Sequence, residues 1–564
     1  MSIQVMNRKY VLYLLFISLL FSVPSGALAE QKVFFAQQSA VASAIRVAPP
    51  APVFDDNARR AELAARRAKL AERIGAKSAL VLLSAAPRIY SADVNYKFRQ
   101  ENNFYYLTNL NQEDAKLVLL PGGASLREIL FLPRRDPSQE TWTGRMYSPE
   151  EAARLSGVNE IWEAAEFEPF MKSLRGRQAY RPQSDNVLLS SRTANPATPN
   201  DTSDAASYET LFAAAAKSEA SLFMLISTNP NAQNAESREY RAEQLLAAEL
   251  KREPNGFTVR SAFPIFAEMR LRKSEMELRL LQHAVDITTE ALGRAMAVAG
   301  RAKWEYEVEA EVQYTFKRRN ADNWGYPPIV GCGTNATTLH YEESQGQVAP
   351  GDLMLMDVGA EYGHYTADVT RTFPVGGKFT QAQTDIYNLV LAAQEAGYKK
   401  ARPGGTFAEI NAAAIETIKN RLLKLGLITD VNSAQYRIWF MHGTSHWLGM
   451  NVHDVGSGAT KFESGMVFTI EPGIYIRPDA LDYLPKTAES ERFIRAVRPA
   501  FEKYKNIGVR IEDDVAITSY GYRNLTAALP RTTSEVEDVI RRASQELRAS
   551  QSVERQDQTA SIKR

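Results

Sequence analysis

The chain has 564 residues, of which 45% are hydrophobic, 10% aromatic and 24% charged, a globular composition that excludes wholesale disorder, collagen and coiled coil. Its 67 basic and 66 acidic residues nearly balance, so the charge indicates neither a nucleic acid nor an anionic membrane as a partner. The single cysteine, Cys332, excludes an intramolecular disulfide and a cysteine-rich metal site.

Residues 1–29 have the pattern of a secretory signal peptide. Arg8 and Lys9 precede an apolar run over residues 10–23, and Ala27-Leu28-Ala29 is a small-x-small cleavage site. The run is short for a membrane-spanning helix, which needs about 20 residues. We therefore predict cleavage after Ala29, with an uncleaved membrane anchor as the alternative. The mature chain is then expected to be exported, periplasmic or secreted, without membrane contact.

The first half of the mature chain is predicted to be an α/β domain. Residues 30–55 carry little pattern and are predicted to be a flexible lead-in. Strands and helices alternate over residues 56–256, which is typical of α/β folds. Polar residues 182–204 are predicted to form a surface loop or insertion. Helices are predicted at 57–74 and 149–155, and strands at 78–83, 104–108, 116–120, 128–132 and 221–226.

Residues 257–535 are predicted to form a second domain, followed by a C-terminal helix and tail over 536–564. The polar residues after about 549 are expected to be disordered. Apolar spacing predicts helices at 273–299 and 381–401, and strands at 353–357, 367–373, 466–471 and 509–517.

Two aspartates flank a predicted hairpin turn in the second domain. If the chain folds back at residues 362–363, Asp357 and Asp368 face each other, and opposed residues have Cβ atoms about 4.5–5.5 Å apart. Two carboxylates that close are unfavourable unless a proton or a cation lies between them. Hairpin registers often create such pairs by chance, so this pair alone does not decide between a structural role and a metal site.

Two glutamates and a histidine cluster point the same way. Glu471 and Glu512 each interrupt an apolar strand, and a charge carried into a sheet needs a partner. Either glutamate alone could face solvent. Three of the six histidines, His442, His446 and His453, lie within residues 442–453, which chance and core packing could also explain. Together these residues favour metal ligation.

The charges of these groups match two divalent cations. Asp357, Asp368, Glu471 and Glu512 carry four negative charges, which two such ions would neutralise. An oxygen-rich set with one neutral imidazole suits Mn²⁺ and permits Zn²⁺, Co²⁺ or Fe²⁺. So few ligands suffice if they bridge ions about 3.5–4 Å apart, and a water between such ions becomes a nucleophile near neutral pH.

The strings around these residues resemble the metallopeptidase family that contains aminopeptidase P, prolidase and methionine aminopeptidase. Residues 368–375, 469–475 and 508–514 match its catalytic domain, and residues 96–108 and 140–145 match its accessory domain. The resemblance covers nearly all of the mature chain. It implies an α/β N-terminal accessory domain, an α+β catalytic domain with the pita-bread fold, and two divalent ions. The implied ligands are Asp357, Asp368, His446, Glu471 and Glu512.

Within the family, residues 442–456 are most similar to the Xaa-Pro aminopeptidases. The resemblance implies release of the first residue from peptides with proline at the second position, and a homo-oligomer. As a mechanistic hypothesis, Glu471 transfers the proton, and one metal together with His453 stabilises the oxyanion. Tyr326 and Met450 are expected to be wall residues. The implied substrate-binding residues are His340, His442, His453 and Arg510, with Arg510 either orienting Glu512 or contacting substrate.

Two alternatives stay open. A prolidase restricted to Xaa-Pro dipeptides is one, because the string after His340 departs from the usual family continuation and residues 182–204 and 474–507 resemble insertions. The other is a metal-free binding module on the same fold, as in relatives that have lost their ligands. The five retained ligand types argue against the binding module.

Overall fold

The structure, a computed structural model, describes residues 43–190, 202–227, 240–252 and 254–562. The predicted signal peptide lies outside the described residues.

The helices of the described chain are α1 (Asp56–Ile74), α2 (Asn102–Thr108), α3 (Pro137–Thr143), α4 (Pro149–Ser156), α5 (Phe167–Arg175), α6 (Thr202–Ala216), α7 (Arg241–Leu250), α8 (Phe263–Leu271), α9 (Glu275–Ala299), α10 (Glu305–Arg318), α11 (Gln381–Tyr398), α12 (Phe407–Leu425), α13 (Ala488–Tyr504) and α14 (Thr533–Ile562).

The strands of the N-terminal half are β1 (Ser78–Leu83), β2 (Ile89–Ser91), β3 (Val94–Asn95), β4 (Lys116–Leu120), β5 (Arg127–Leu132), β6 (Glu160–Glu163), β7 (Val187–Ser190), β8 (Ala220–Met224) and β9 (Phe257–Ser261). Those of the second half are β10 (Asn323–Trp324), β11 (Ile329–Cys332), β12 (Leu353–Val358), β13 (Ala360–Tyr362), β14 (Tyr365–Thr366), β15 (Val369–Pro374), β16 (Val467–Ile470), β17 (Gly473–Ile476), β18 (Ile507–Arg510), β19 (Asp513–Ile517) and β20 (Tyr522–Asn524).

The N-terminal half is built on a mixed sheet whose described strands run in the order β7-β6-β5-β4-β1-β8-β9. Strand β1 lies inside the sheet, antiparallel to β4 and parallel to β8. Its alternate side chains enter two cores, with Leu80 and Leu82 on one face and Ala79 and Val81 on the other. Because both faces are covered, this strand reads as a continuous apolar run in the sequence.

The N-terminal sheet continues beyond the domain boundary predicted between residues 256 and 257. Strand β9 (Phe257–Ser261) pairs in parallel with β8. Residues 254–256, Pro-Asn-Gly, form a turn inside this half, where Gly256 has a φ of +86° and no room for a Cβ against the Ala215 carbonyl. The predicted boundary therefore falls one strand before the end of the sheet.

The strand predicted at residues 104–108 is wrong, since these residues belong to helix α2. The Glu101 side chain caps the helix by accepting a hydrogen bond from the Phe104 amide, and Asn109 ends it in the left-handed conformation. A short apolar and aromatic run does not by itself distinguish a strand from a buried helix. The caps on either side decided the outcome.

Both predicted flexible ends contain ordered segments. In the lead-in, Ile45 and Ala48 are buried, and the Ala48 amide donates to Glu290 on α9. Residues 187–190, inside the predicted insertion, form edge strand β7, while residues 191–201 lie outside the described residues. Helix α14 runs to residue 562, through the stretch predicted to be disordered.

The second half consists of small antiparallel sheets covered by helices, the α+β arrangement predicted for it. The described sheets are β10-β13-β14, β11-β12-β15, β16-β19-β20 and β17-β18. Helices α9 and α10 pack against each other, as do α11 and α12. No described helix is both long enough and apolar enough to span a membrane.

The hairpin between β12 and β15 has a register different from the predicted one. Gly363 and His364 form its turn, both with positive φ, at 58° and 66°, as a two-residue turn of the I′ type requires. Asp357 consequently faces Thr370 and not Asp368. Because residues two apart share a strand face, Asp368 still lies diagonally across from Asp357 on that face.

Candidate metal centre

Five predicted ligand side chains line one cavity of about 340 Å³. Asp357 lies in β12, Asp368 directly before β15, and Glu471 directly after β16. The Thr469 amide of β16 donates to the carbonyl oxygen of His446, which places that histidine beside Glu471. The Glu512 amide donates to the Thr370 carbonyl of β15. Backbone pairing between segments far apart in sequence therefore brings the five side chains together.

The two aspartates point to a common spot. The Tyr326 hydroxyl lies 2.5 Å from Oδ1 of Asp357 and 2.7 Å from Oδ1 of Asp368. The other oxygen of Asp357 accepts a hydrogen bond of 2.6 Å from Nη2 of Arg510. The diagonal register thus still allows the two carboxylates to share one partner.

The His446 ring is oriented for ligation through Nε2. This nitrogen lies 3.2 Å from Oδ2 of Asp368 and 3.3 Å from Oε1 of Glu471. Nδ1 lies 3.1 Å from the carbonyl oxygen of Trp447 and is placed to donate its proton there. A backbone acceptor of this kind fixes the tautomer of a metal-binding histidine. Ligand atoms of Asp368, His446 and Glu512 all lie within 4.8 Å of one another.

Glu512 and Arg510 have different partners, contrary to one of the predicted roles. Oε2 of Glu512 accepts a hydrogen bond of 2.6 Å from the Thr370 hydroxyl. Arg510 donates to Asp357, to the Thr370 hydroxyl and to the Tyr475 hydroxyl. The guanidinium therefore orients Asp357 directly and reaches Glu512 only through Thr370.

Burial opposes the ionisation of each of the four carboxylates, but the net effect on the pKa differs among them. Burial, reinforced by Asp368 and Glu471, raises the pKa of Glu512 well above its ordinary value. Burial and the Asp357 charge raise the pKa of Asp368, and burial raises the pKa of Glu471 to about 7. Burial acts on Asp357 in the same direction and is the largest influence, but the Arg510 charge and the hydrogen bonds from Tyr326 and Arg510 together outweigh it, so the pKa is lowered.

Two histidines of the cavity respond oppositely to this environment. Burial opposes a charge on His446, but the hydrogen bond from its ring to Asp368 and the Glu471 charge raise its pKa to about 10. Burial and the positive charge of Arg510 lower the pKa of His442 to about 4. The pocket around His446 therefore attracts positive charge.

This donor set fits divalent cations. Four carboxylates and one imidazole crowd into a buried space where the acids cannot all ionise without a compensating positive charge. Oxygen donors with a single nitrogen suit hard and borderline divalent metals. The residues that could hold such ions are Asp357, Asp368, His446, Glu471 and Glu512.

The remaining predicted site residues line the same cavity. His340, His442 and His453 are all among its walls. His442 is fixed at both ring nitrogens, with Nε2 at 2.9 Å from the Tyr475 hydroxyl and Nδ1 at 2.7 Å from the Gly443 carbonyl oxygen. The His453 ring packs edge-on against His446, with centroids 4.5 Å apart.

Sequence reasoning missed three contributors to this site. Tyr326, expected only as a wall residue, contacts two of the carboxylates, and no spacing or motif could have shown this. Tyr475 joins His442 to Arg510, and its presence in the matching string 469–475 was an available signal. Thr370 follows Asp368 by two residues, so strand alternation could have placed it on the same face.

The other histidines and the cysteine lie outside the cavity lining. His283, on α9, packs edge-on against Tyr362. His364, in the hairpin turn, stacks on Tyr105 with ring centroids 3.7 Å apart. Cys332 is buried in β11, and burial raises the pKa of its thiol to about 12. These three side chains therefore have packing roles and do not line the cavity.

Comparison with known proteins matches both halves of the chain. Residues 279–519 match metallopeptidase family M24, and residues 63–180 match the aminopeptidase P N-terminal domain. A Xaa-Pro aminopeptidase of Haemophilus influenzae is 34% identical over 488 residues, covering 85% of this chain and 97% of that protein. The Escherichia coli Xaa-Pro aminopeptidase is 34% identical over 492 residues, covering 85% and 98%.

Solved structures give the same relationship. Aminopeptidase P from Escherichia coli with the inhibitor Pro-Leu superposes with a TM-score of 0.68 at 32% identity, covering 86% of this chain and 99% of that one. Aminopeptidase PepP of Pseudomonas aeruginosa gives a TM-score of 0.68 at 30% identity, with coverages of 86% and 99%.

Proposed function

Because the chain belongs to metallopeptidase family M24, among its Xaa-Pro aminopeptidases, we propose that it releases the first residue from peptides with proline second. It is a hydrolase with an N-terminal accessory domain and a pita-bread catalytic domain. The family uses divalent metal ions. We further propose a role for each residue of the site, the identity of the metal and the compartment in which the enzyme acts.

The convergence of the five ligand side chains carries the proposal. Asp357 and Asp368 share the Tyr326 hydroxyl, and His446 stands within 3.3 Å of both Asp368 and Glu471. Without a bound metal, four acids in this buried cavity would destabilise the fold, because unpaired buried charges are costly. The geometry therefore favours a peptidase over a metal-free binding module.

Divalent ions bound by these residues would acidify a water molecule and polarise the scissile carbonyl. The Glu471 carboxylate lines the cavity beside His446. It takes the proton of the attacking water and returns it to the proline nitrogen as the peptide bond breaks. His453 donates a hydrogen bond to the oxygen on which negative charge develops.

Other residues hold this arrangement and shape the pocket. Arg510 fixes Asp357, and Tyr475 fixes the ring of His442, so neither side chain can turn away from the cavity. His340 and His442 line the space offered to substrate. A peptide bond before proline lacks an N–H and constrains the preceding residue, so it needs a site shaped for it.

We propose Mn²⁺ as the metal, because carboxylate oxygens dominate the donor set and a single imidazole completes it. The same ligands could also bind Zn²⁺, Co²⁺ or Fe²⁺, but an oxygen-rich donor set favours these ions less than Mn²⁺. Metal analysis of protein purified without chelator, followed by reconstitution with each ion in turn, tests the assignment. Higher activity with another ion at equal occupancy would contradict it.

The activity is tested with a Xaa-Pro-Xaa tripeptide, a matched Xaa-Ala-Xaa tripeptide and a Xaa-Pro dipeptide. We expect metal-loaded protein to release the first residue of the proline tripeptide, detected by mass spectrometry, and to leave the alanine peptide intact. Cleavage of the dipeptide alone would identify a prolidase. No cleavage by a fully metal-loaded protein would favour the binding module.

We also propose that the chain is exported and that it begins at Glu30 after signal cleavage. The n-region, apolar run and Ala27-Leu28-Ala29 site support this proposal. Intact mass and N-terminal sequencing of protein from cell fractions test it. A full-length chain found with the membrane would indicate an uncleaved anchor instead.

A further inference from the structure

A buried ion cluster lies beside the cavity and has no part in the mechanism above. Nη2 of Arg270 lies 2.5 Å from Oδ1 of Asp454, and Nζ of Lys273 lies 3.4 Å from Oδ2 of the same carboxylate. The side chains of Asp454 and Lys273 are each only 1% exposed, and that of Arg270 is 3% exposed. One carboxylate is thus the direct partner of two buried cations, with Glu101 near Arg270 and Glu277 near Lys273 adding further negative charge.

Asp454 is the neighbour of His453 in a loop spanning residues 447–454. The loop is closed by a hydrogen bond of 3.0 Å from the Asp454 amide to the Trp447 carbonyl oxygen. The His453 ring packs against His446 but forms no hydrogen bond with any residue that the structure describes. The position of the ring therefore depends on the backbone of this loop.

The N-terminal half of the chain holds the same loop. Nδ2 of Asn102, at the start of α2, donates to Oδ1 of Asn451 at 2.8 Å. Nη2 of Arg99 donates to the Met450 carbonyl oxygen at 2.9 Å. A third bond runs from Nη1 of Arg270 to Oδ1 of Asn103, at 2.8 Å, and links the ion cluster to α2.

Gly449 of this loop packs closely against the ion cluster. A Cβ on Gly449 would lie 2.2 Å from Oδ2 of Asp454 and 2.9 Å from Cε of Lys273. The loop backbone is therefore pressed directly onto the ion pair, with no space for a side chain between them. Removing the charge on Asp454 would leave Arg270 and Lys273 without their shared partner, so we expect the loop to shift.

We propose that Asp454 is a positioning residue for His453, and that the N-terminal half thereby completes the active site of its own chain. The proposal rests on the proposed function in one respect, the role of His453 toward the oxyanion. It adds that the accessory domain acts on the chemistry in cis, through Arg99, Asn102 and the hydrogen bond between Asn103 and Arg270.

The kinetic test uses Asp454→Asn, His453→Ala and the double variant. We expect Asp454→Asn to lower kcat roughly tenfold to a hundredfold with KM nearly unchanged, as misplacement of a catalytic group does. His453→Ala should lose roughly a hundredfold to a thousandfold. The double variant should be no slower than His453→Ala, because the group that Asp454 positions is already absent.

A milder variant guards against unfolding of Asp454→Asn. Asn102→Ala leaves the ion cluster intact and removes the hydrogen bond to Asn451, so kcat should fall a few-fold and again not additively with His453→Ala. The matched control is Glu160→Gln, which breaks a mostly buried ion pair with Arg127 in the N-terminal sheet. The control should keep the wild-type kcat and metal content.

Hydrogen exchange of the backbone amides at 449–454 gives a readout that does not depend on activity. Exchange there should rise in Asp454→Asn and Asn102→Ala, and stay unchanged in Glu160→Gln. Unchanged exchange, or losses of kcat that add to that of His453→Ala, would overturn the proposal. A wild-type chain without peptidase activity would contradict the proposed function, while the exchange data would still decide whether Asp454 holds the loop.

Discussion

Glu471, the residue proposed to carry the proton during peptide hydrolysis, lies beside His446 with its carboxylate in the cavity. We expect Glu471→Gln to lower kcat at least a hundredfold, about the contribution of a general acid–base group. An amide keeps the size of the side chain but cannot carry the proton. Steady-state hydrolysis of a Xaa-Pro-Xaa tripeptide at saturating Mn²⁺ measures the loss.

The matched control for this variant is Glu343→Gln, an identical substitution at an exposed glutamate outside the cavity lining. It should retain wild-type kcat. Retained activity of Glu471→Gln, with bound metal verified, would mean that another group carries the proton.

Tyr326 is expected to orient two ligands. In Tyr326→Phe, Asp357 and Asp368 lose the hydroxyl they share, and loss of such an outer contact typically weakens metal binding about 10–100-fold. Calorimetric titration of the apoprotein with Mn²⁺ measures the change. Tyr362→Phe, in the neighbouring hairpin, should bind Mn²⁺ normally, and equal affinities of the two variants would refute the role.

The acids of the site could be predicted from single residues, whereas their partners could not. Glu471 and Glu512 can be recognised as candidate ligands from the sequence, because a charge inside an apolar strand needs compensation. Tyr326 carries no such signal, because a tyrosine between glycine and proline is compatible with almost any surface position. Its role depends on where β12 and β15 place the two aspartates.

At the scale of elements, the turn at Gly363 and His364 sets the register of the ligand hairpin. Gly363 has a φ of +58°, and a Cβ there would lie 3.1 Å from Cδ2 of Leu280. We expect Gly363→Ala to reduce the free energy of unfolding by about 1–2 kcal/mol, because alanine disfavours left-handed backbone. Urea denaturation measures this change.

The control for the turn is Gly458→Ala, where a Cβ meets no atom within 4 Å. Its stability should stay within about 0.5 kcal/mol of wild type, as for most surface substitutions. Equal stability of both alanine variants would show that the turn tolerates a side chain and does not hold the register.

Elements with a strong apolar pattern could be predicted from the sequence. Elements whose type depends on the capping or turn residues at their ends could not. Strand β1 is apolar throughout because both its faces are buried. Residues 104–108 are equally apolar, yet they form α2 because Glu101 and Asn109 cap it. The wrong hairpin register has the same origin, since one residue of difference in the turn moves every pairing behind it.

For the whole molecule, metal removal should lower stability. Chelation leaves four buried carboxylates without compensation, and bound ion at about 100 times its Kd contributes about 2.7 kcal/mol. We expect a lower Tm with a chelator and full recovery with Mn²⁺, measured by calorimetry. In Asp368→Asn the effect of the chelator should shrink, and a Tm indifferent to chelator in wild type would contradict a metal in this site.

The homo-oligomer stays a prediction based on family resemblance. The accessory domain has a role within one chain as well, if Asp454 acts as proposed. Arg99 and Asn102, at the start of α2 in this domain, donate hydrogen bonds to the loop that carries His453. We therefore expect the peptidase activity of the chain to fall when the contact between its two halves is broken.

Residue types and local motifs were enough to identify the acids and imidazoles that could bind metal and the family that their surroundings resemble. These properties are local, because they depend on residue type and on the strand in which each residue stands. The folded chain was needed to show which side chains meet, such as Tyr326 with the aspartates, Thr370 with Glu512, and Asn102 with the His453 loop. Contacts between distant segments follow from register, caps and close packing, whose energies are shared among many residues and leave no signature in any one of them.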